Sequence, residues 1–196
     1  MKVDRERAKA MLARRRLVSL DDATKLEYLG EYWDGRDEET IREAMRDGDF
    51  PRVSDELVAT IAATDAPRHP LPHGVDALLL DWLVFDLDKA SNGYLQDELG
   101  RLGVACEVVG PPDPAAPCPC CHHLSIDPGE SGLWDICPVC FWENGGDGPN
   151  HMSLAEARSN FARIGAVSER ALAFVDPDGP FKYERSASDR DVPIRR

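Results

Sequence analysis

At 196 residues, with 42 % hydrophobic and 30 % charged side chains, the chain has material for one ordinary domain, or for a domain plus a small metal-stapled module. Its longest apolar run, 77–87, is broken by Asp81 and Asp86, too short to span a bilayer. The charged start Met1-Lys2-Val3-Asp4-Arg5 has no apolar leader core behind it, so no membrane association and a cytoplasmic location are expected. Net charge is −13, unevenly spread: residues 1–16 carry +5, residues 17–117 carry −14 and residues 118–196 carry −4. So acidic a middle repels phosphate backbones and favours a basic protein partner, unless the acidity serves solubility alone.

Residues 4–16 read as a basic helix with Ala8, Met11 and Leu12 on one side, its charge best used against the acidic segment that follows. Ser19 is the expected N-cap of a second helix over 20–33, with Asp21 and Asp22 in the first turn. A third helix over 37–46 turns Ile41, Ala44 and Met45 inward and stops at Gly48. Ser54 caps a fourth, with Leu57, Val58, Ile61 and Ala62 as its stripe. Three prolines make 65–74 a loop. The segment 75–88 is apolar round much of its circumference, which predicts a buried helix. Asn92-Gly93 should interrupt the chain before a helix over 94–102, and 104–109 alternates like a strand.

The Pro-rich run 110–117 predicts a linker, and beyond it lie five cysteines within 118–140. Two knuckles, Cys118-Pro119-Cys120-Cys121 and Cys137-Pro138-Val139-Cys140, align with each other. The alignment makes Cys118, Cys121, Cys137 and Cys140 the ligands of one structural zinc ion and leaves Cys120 in the slot of Val139. A thiol–disulfide redox site fits the same residues less well, and His122 and His123 are substitutes that a full cysteine set does not need. Residues 124–126 and 133–136 flank the turn Asp127-Pro128-Gly129-Glu130, which predicts a hairpin joining the knuckles; Trp134, Phe141 and Trp142 are expected to pack around the site. Further on, Ser153-Leu154-Ala155-Glu156 is a capping box for a helix ending at Gly165, Ser168 caps a last short helix to Val175, and the tail from Asp176 should be loosely held.

Catalytic zinc keeps an open coordination position, whereas four thiolates fill the sphere, so the expected role is structural. Other constellations do not point to an enzyme. Asp81, Asp86 and Asp88 fit the wet edge of a helix, His69 and His73 have no matched nucleophile, and 144–149 lacks the Lys and Ser/Thr of a phosphate loop. Lone Cys106 reads as a small buried hydrophobe.

The ordered pieces Cys-Pro-Cys-Cys (118–121), Asp-Ile-Cys-Pro-Val-Cys-Phe-Trp-Glu (135–143) and Asn-His-Met-Ser-Leu-Ala-Glu-Ala-Arg (150–158), followed by Asn160-Phe161 and Gly165-Ala166, resemble the bacterial CPCC-type cysteine-rich proteins. His122 departs from the pattern, in which Gly follows the first knuckle. The resemblance implies a bacterial origin, a zinc-ribbon-like module and no established catalysis, with an immunity-type role in bacterial competition as a further expectation. The sequence therefore predicts an α+β chain in four parts: an acidic helical region 1–109, a linker 110–117, a zinc-ribbon-like module with its helix at 118–175, and a tail 176–196. It predicts a non-enzymatic Zn2+ protein that binds a protein partner, such as a basic toxin, through its acidic surface. A nucleic-acid-associated zinc-ribbon regulator is the alternative, and a thiol redox protein stands third.

Overall fold

In the computed structural model, which describes residues 1–33 and 35–186, helices dominate and two short two-stranded sheets complete an α+β fold. Among the described residues no helix is long and apolar enough to cross a membrane. Two compact units emerge: residues 6–88, and residues 1–5 together with residues 89 onward. The break falls at Asp88/Lys89, so the Pro-rich run 110–117 lies inside the second unit.

The helical unit is built from α1 (Arg5–Ser19, its first residue assigned to the other unit), α2 (Asp22–Trp33), α3 (Glu38–Asp47), α4 (Asp55–Ala62) and α5 (Asp76–Phe85). Helix α1 runs on through Ser19, whose Oγ donates back to the Arg16 carbonyl at 2.7 Å, and the cap of α2 passes to Asp21. The Asp21 carboxylate accepts from the Thr24 N–H at 2.8 Å, and that bond holds its pKa below the usual value. Asp37 accepts from the Thr40 N–H at 2.8 Å to start α3, which ends on Gly48 in the left-handed region, φ 91°. Ser54 starts α4 by accepting from the Leu57 N–H. Apolar faces of α2 to α5 meet in one core containing Leu29, Trp33, Ile41, Phe50, Leu57, Ile61 and Leu78.

Polar groups entering that core are paired, as burial demands. The Trp33 indole donates to Thr64 Oγ1 at 2.9 Å, and the Tyr32 hydroxyl donates to Asp81 at 2.8 Å. Burial, reinforced by Asp81, pushes Tyr32 ionisation well above its ordinary range. Asp86 accepts from Arg16 and Asp88 from Lys9, each at 2.9 Å. The basic helix thus does lie on acidic side chains, and the three aspartates of 81–88 are structural partners.

In the second unit β1 (Lys2–Asp4) pairs in parallel with β2 (Glu107–Val109), Val3 opposite Val108. No sequence signal marks β1: three residues are too few for a period to show. The helix expected at 94–102 begins earlier, as α6 (Asn92–Arg101), because Ser91 Oγ accepts from the Tyr94 N–H at 3.0 Å and makes Asn92-Gly93 its first turn. The Pro-rich run is tied down at Asp113, whose carboxylate accepts from the Arg5 guanidinium at 2.7 Å and from the Lys89 N–H at 3.0 Å.

Strands β3 (Ala116–Pro117) and β4 (Leu124–Ile126) form an antiparallel pair around the first knuckle. Residues 133–136 do not supply the second arm of the expected hairpin. A 3-10 turn at Gly129–Gly132 redirects the chain, and the second knuckle closes on its own bridge between Ile136 and Glu143. The short α7 (Asp147–Asn150) precedes α8 (Leu154–Ile164), which starts on Ser153 and ends on Gly165 as its capping box predicts. Ser168 does cap a turn, accepting from Ala171 N–H at 3.2 Å, but it is a 3-10 turn over Arg170–Ala173.

The segment beginning at Asp176 is anchored rather than loose. Its α9 (Gly179–Lys182) buries Lys182, which donates to Asp176 at 3.0 Å, and Gly179 lies against Val139, where an added Cβ would come within 3.3 Å. Beyond it the chain pairs with two others: Ser91 N–H donates to Lys182 C=O at 2.7 Å, Leu124 N–H to Glu184 C=O at 2.7 Å and Ser186 N–H to His122 C=O at 2.9 Å. Residues 187–196 of the expected tail lie outside the described residues. A chain ended at Val175 is therefore expected to lose about 3 kcal/mol or more of stability in the cysteine-containing unit, read by denaturant unfolding. A stability unchanged by that truncation contradicts the anchoring.

Candidate metal centre

The two knuckles repeat one backbone pattern. Cys118 N–H donates to the His123 carbonyl at 2.8 Å and Cys137 N–H to the Trp142 carbonyl at 2.9 Å. In return His122 N–H donates to the Cys118 carbonyl at 2.9 Å, and Phe141 N–H to the Cys137 carbonyl at 2.8 Å. Each turn needs a left-handed residue just after its last cysteine, and His122 (φ 63°) and Phe141 (φ 67°) take that conformation. His122 thus keeps the first turn in the same shape as the second without a glycine.

Folding brings Sγ of Cys118, Cys121, Cys137 and Cys140 within 4.8 Å of one another, all four side chains buried. Cys118 and Cys140 are 3.6 Å apart and Cys121 and Cys137 3.5 Å, too far for disulfides near 2.05 Å. A tetrahedron of thiolates at a metal–sulfur distance of about 2.3 Å has edges of about 3.8 Å, so the cluster has the dimensions of a metal cage. Every cysteine of the chain is a free thiol.

The charge balance of the cluster calls for a cation. Burial pushes the Cys137 thiol up, but bonds from Cys118, Cys121, Cys140 and Ser125 outweigh it and hold its pKa well below the ordinary value. Two neighbours are driven the opposite way: Cys121 rises through Cys118 and then Cys137, and Cys140 rises through Cys118, Cys120, Cys121 and Cys137. A thiolate at Cys137 is favoured, and thiolates at Cys121 and Cys140 are opposed. A divalent ion at the centre reverses this by deprotonating all its ligands.

Cys120 is buried like its counterpart Val139, and its thiol reaches Cys140 rather than completing the cage. His123 is 1 % exposed; burial keeps its pKa below the ordinary value, and its Nδ1 meets no hydrogen-bond partner. Trp142 packs fully into the surrounding core with Phe141 at its edge. Trp134, expected there too, is instead 60 % exposed, because the chain turns outward at φ 73°.

Three supports escaped the sequence reading. Ser125 Oγ lies 3.2 Å from Cys137 Sγ, and Arg158 of α8 donates twice, at 2.8 and 3.0 Å, to the Pro119 carbonyl inside the first knuckle. Val167 N–H donates to the Cys140 carbonyl at 2.8 Å, so the second knuckle is buttressed by the chain beyond α8. A lone Ser or Arg at such separations carries no periodic signal.

Titration of the reduced protein with Zn2+ or Co2+ is expected to show one tight site that Cys118→Ser, Cys121→Ser, Cys137→Ser or Cys140→Ser each weakens at least about 100-fold, while Cys120→Ala leaves it within about threefold. Metal should leave as pH falls, since protons compete for the thiolates. Equal loss in Cys120→Ala contradicts the ligand assignment.

Comparison with curated proteins gives no match, and neither does comparison with solved structures. Residues 116–180 match the family model described as Cysteine-rich CPCC, a span that begins at β3 and ends in α9. With both knuckles and their buttresses inside that span, this part of the chain is identified as a CPCC-type cysteine-rich module.

Proposed function

We propose that the protein is a non-catalytic binding protein in which one structural Zn2+ fastens the module and acidic surface engages a basic protein partner, an immunity protein facing a toxin being the sharpest form. The observation that carries the partner reading is the exposure of acidic side chains over α2 to α4: Glu27, Glu39, Glu43, Asp47, Asp49 and Glu56 all face solvent. Such a field accelerates encounter with a positive surface and repels nucleic acid. Four thiolates around an ion leave no position for a substrate or water, which supports a fastening role for the metal.

The alternative, a nucleic-acid-associated regulator, needs a basic face. Part of the basic helix is engaged at home: Arg5 bonds Asp113 and Asn92, Lys9 bonds Asp88, and Arg16 bonds Asp86, while Arg7, Arg14 and Arg15 are exposed. Three exposed arginines beside a −14 segment make a smaller basic face than a phosphate backbone calls for.

The test is to isolate what the tagged protein retains in its native cell and to measure affinity for that purified species against salt. A basic protein whose Kd weakens at least about tenfold between 50 and 300 mM NaCl, through slower association, is the expected result. Salt-insensitive binding, or retention of DNA or RNA alone, contradicts the reading. Elemental analysis of protein purified without added metal should find one zinc per chain.

A further inference from the structure

Trp134 is the least economical residue of the module if folding is its only purpose. A bulky side chain rarely adopts a left-handed backbone, yet Trp134 holds φ 73° and exposes 60 % of its surface. The conformation is enforced locally. Trp134 N–H points to the Asn144 carbonyl at 3.4 Å, Asn144 N–H donates to the Asp135 carbonyl at 2.8 Å, and Asn144 Nδ2 donates to the Gly132 carbonyl at 2.8 Å.

The indole itself is also seated. Its six-membered ring lies across Gly145, where an added Cβ would sit 2.3 Å from Cζ3 and 2.4 Å from Cε3, with Pro149 Cγ beside it. Leu133 and Ile136 alongside are 52 % and 49 % exposed, so three large apolar side chains of one turn face water. A strained, positioned and exposed tryptophan between two aliphatic neighbours has the make-up of an interface hot spot.

The surroundings select the occupant. Glu130 is exposed in the turn just before Leu133, and Glu143 stands opposite Ile136 in an antiparallel bridge. No Lys or Arg occurs from 118 to 157, and Lys89, which reaches Asp127 of the same turn, is neutralised there at 2.9 Å. An exposed indole face in so acidic a segment attracts a cation, and Leu133 and Ile136 beside it suit an apolar group. A second copy meeting this patch with its own would bring like-charged, Lys- and Arg-free segments together, which disfavours it as the occupant.

We propose that the Leu133–Trp134–Ile136 patch is where the cysteine-rich module grips its polypeptide partner, through Arg or Lys set beside an apolar side chain. This rests on the basic-partner reading above and adds a contact on the module to the acidic surface of α2 to α4.

The full metal-loaded chain, 15N-labelled, is titrated with two capped peptides, Gly-Arg-Leu-Arg-Gly and Gly-Glu-Leu-Glu-Gly. The basic peptide is expected to shift the Trp134 indole N–H signal saturably, with Kd in the millimolar range and weakening with salt, while the acidic one leaves it still. Gly145→Ala, which displaces the ring but keeps the tryptophan, should weaken binding at least about fivefold. Trp134→Gly should abolish it with an unfolding midpoint unchanged or raised, since glycine accepts the left-handed backbone. No saturable shift by about 10 mM peptide, equal shifts from both peptides, or full binding by Gly145→Ala or Trp134→Gly overturns the proposal. Shifts confined to α2–α4 overturn the patch and leave the basic-partner reading standing, whereas that reading falls separately if nothing basic is retained from the native cell.

Discussion

Four buried thiols that cannot all ionise in one another's company are the constraint around which the cysteine-rich unit is organised. Without a cation, Cys137 ionises first and Cys121 and Cys140 resist following it. With one, the same four sulfurs become mutually compatible, and closing the cage ties residues 118–121 to 137–140. A structural metal of this kind contributes roughly 10–16 kcal/mol of apparent binding energy to folding.

The cage does not stand by itself, because its two turns have free edges. One receives the backbone of residues 184–186, the other the chain around Val167 and Asp176, whose N–H donates to the Pro138 carbonyl at 2.8 Å. Arg158 reaches across from α8 to the first knuckle. This explains why a Pro-rich stretch is not a boundary here. Asp113 anchors it to Arg5 and Lys89, and the chain before it belongs to the same unit as the chain after it.

Sequence reading was strongest where a local rule acts. The caps at Ser54 and Ser153 and the stops at Gly48 and Gly165 need only neighbours to work, and each stands where its residue type predicts, while Asp37, expected as the first helical residue, is the cap of α3. The cysteine quartet was legible because paired knuckles repeat a spacing, and folding brings those four sulfurs together. What was missed depends on distant partners: β1 exists through its pairing with β2, the order of 176–186 through contacts with 89–91 and 122–124, and the outward turn at Trp134 through Asn144. Ser19 was the expected cap of the second helix, but one further turn of α1 absorbs it and the role passes to Asp21. Charge patterning foresaw that the basic helix would meet acidic side chains but not which ones, since Asp86 and Asp88 are far from Arg16 and Lys9 in sequence.

The central claim is that Cys118, Cys121, Cys137 and Cys140 hold one zinc ion as its complete set of ligands. X-ray absorption at the zinc edge, on protein purified without added metal, tests it most directly. The account predicts four sulfur scatterers at about 2.3 Å and no nitrogen or oxygen in the inner sphere. A sphere containing nitrogen or oxygen, or a zinc-free protein with its cysteines joined as disulfides, would contradict it.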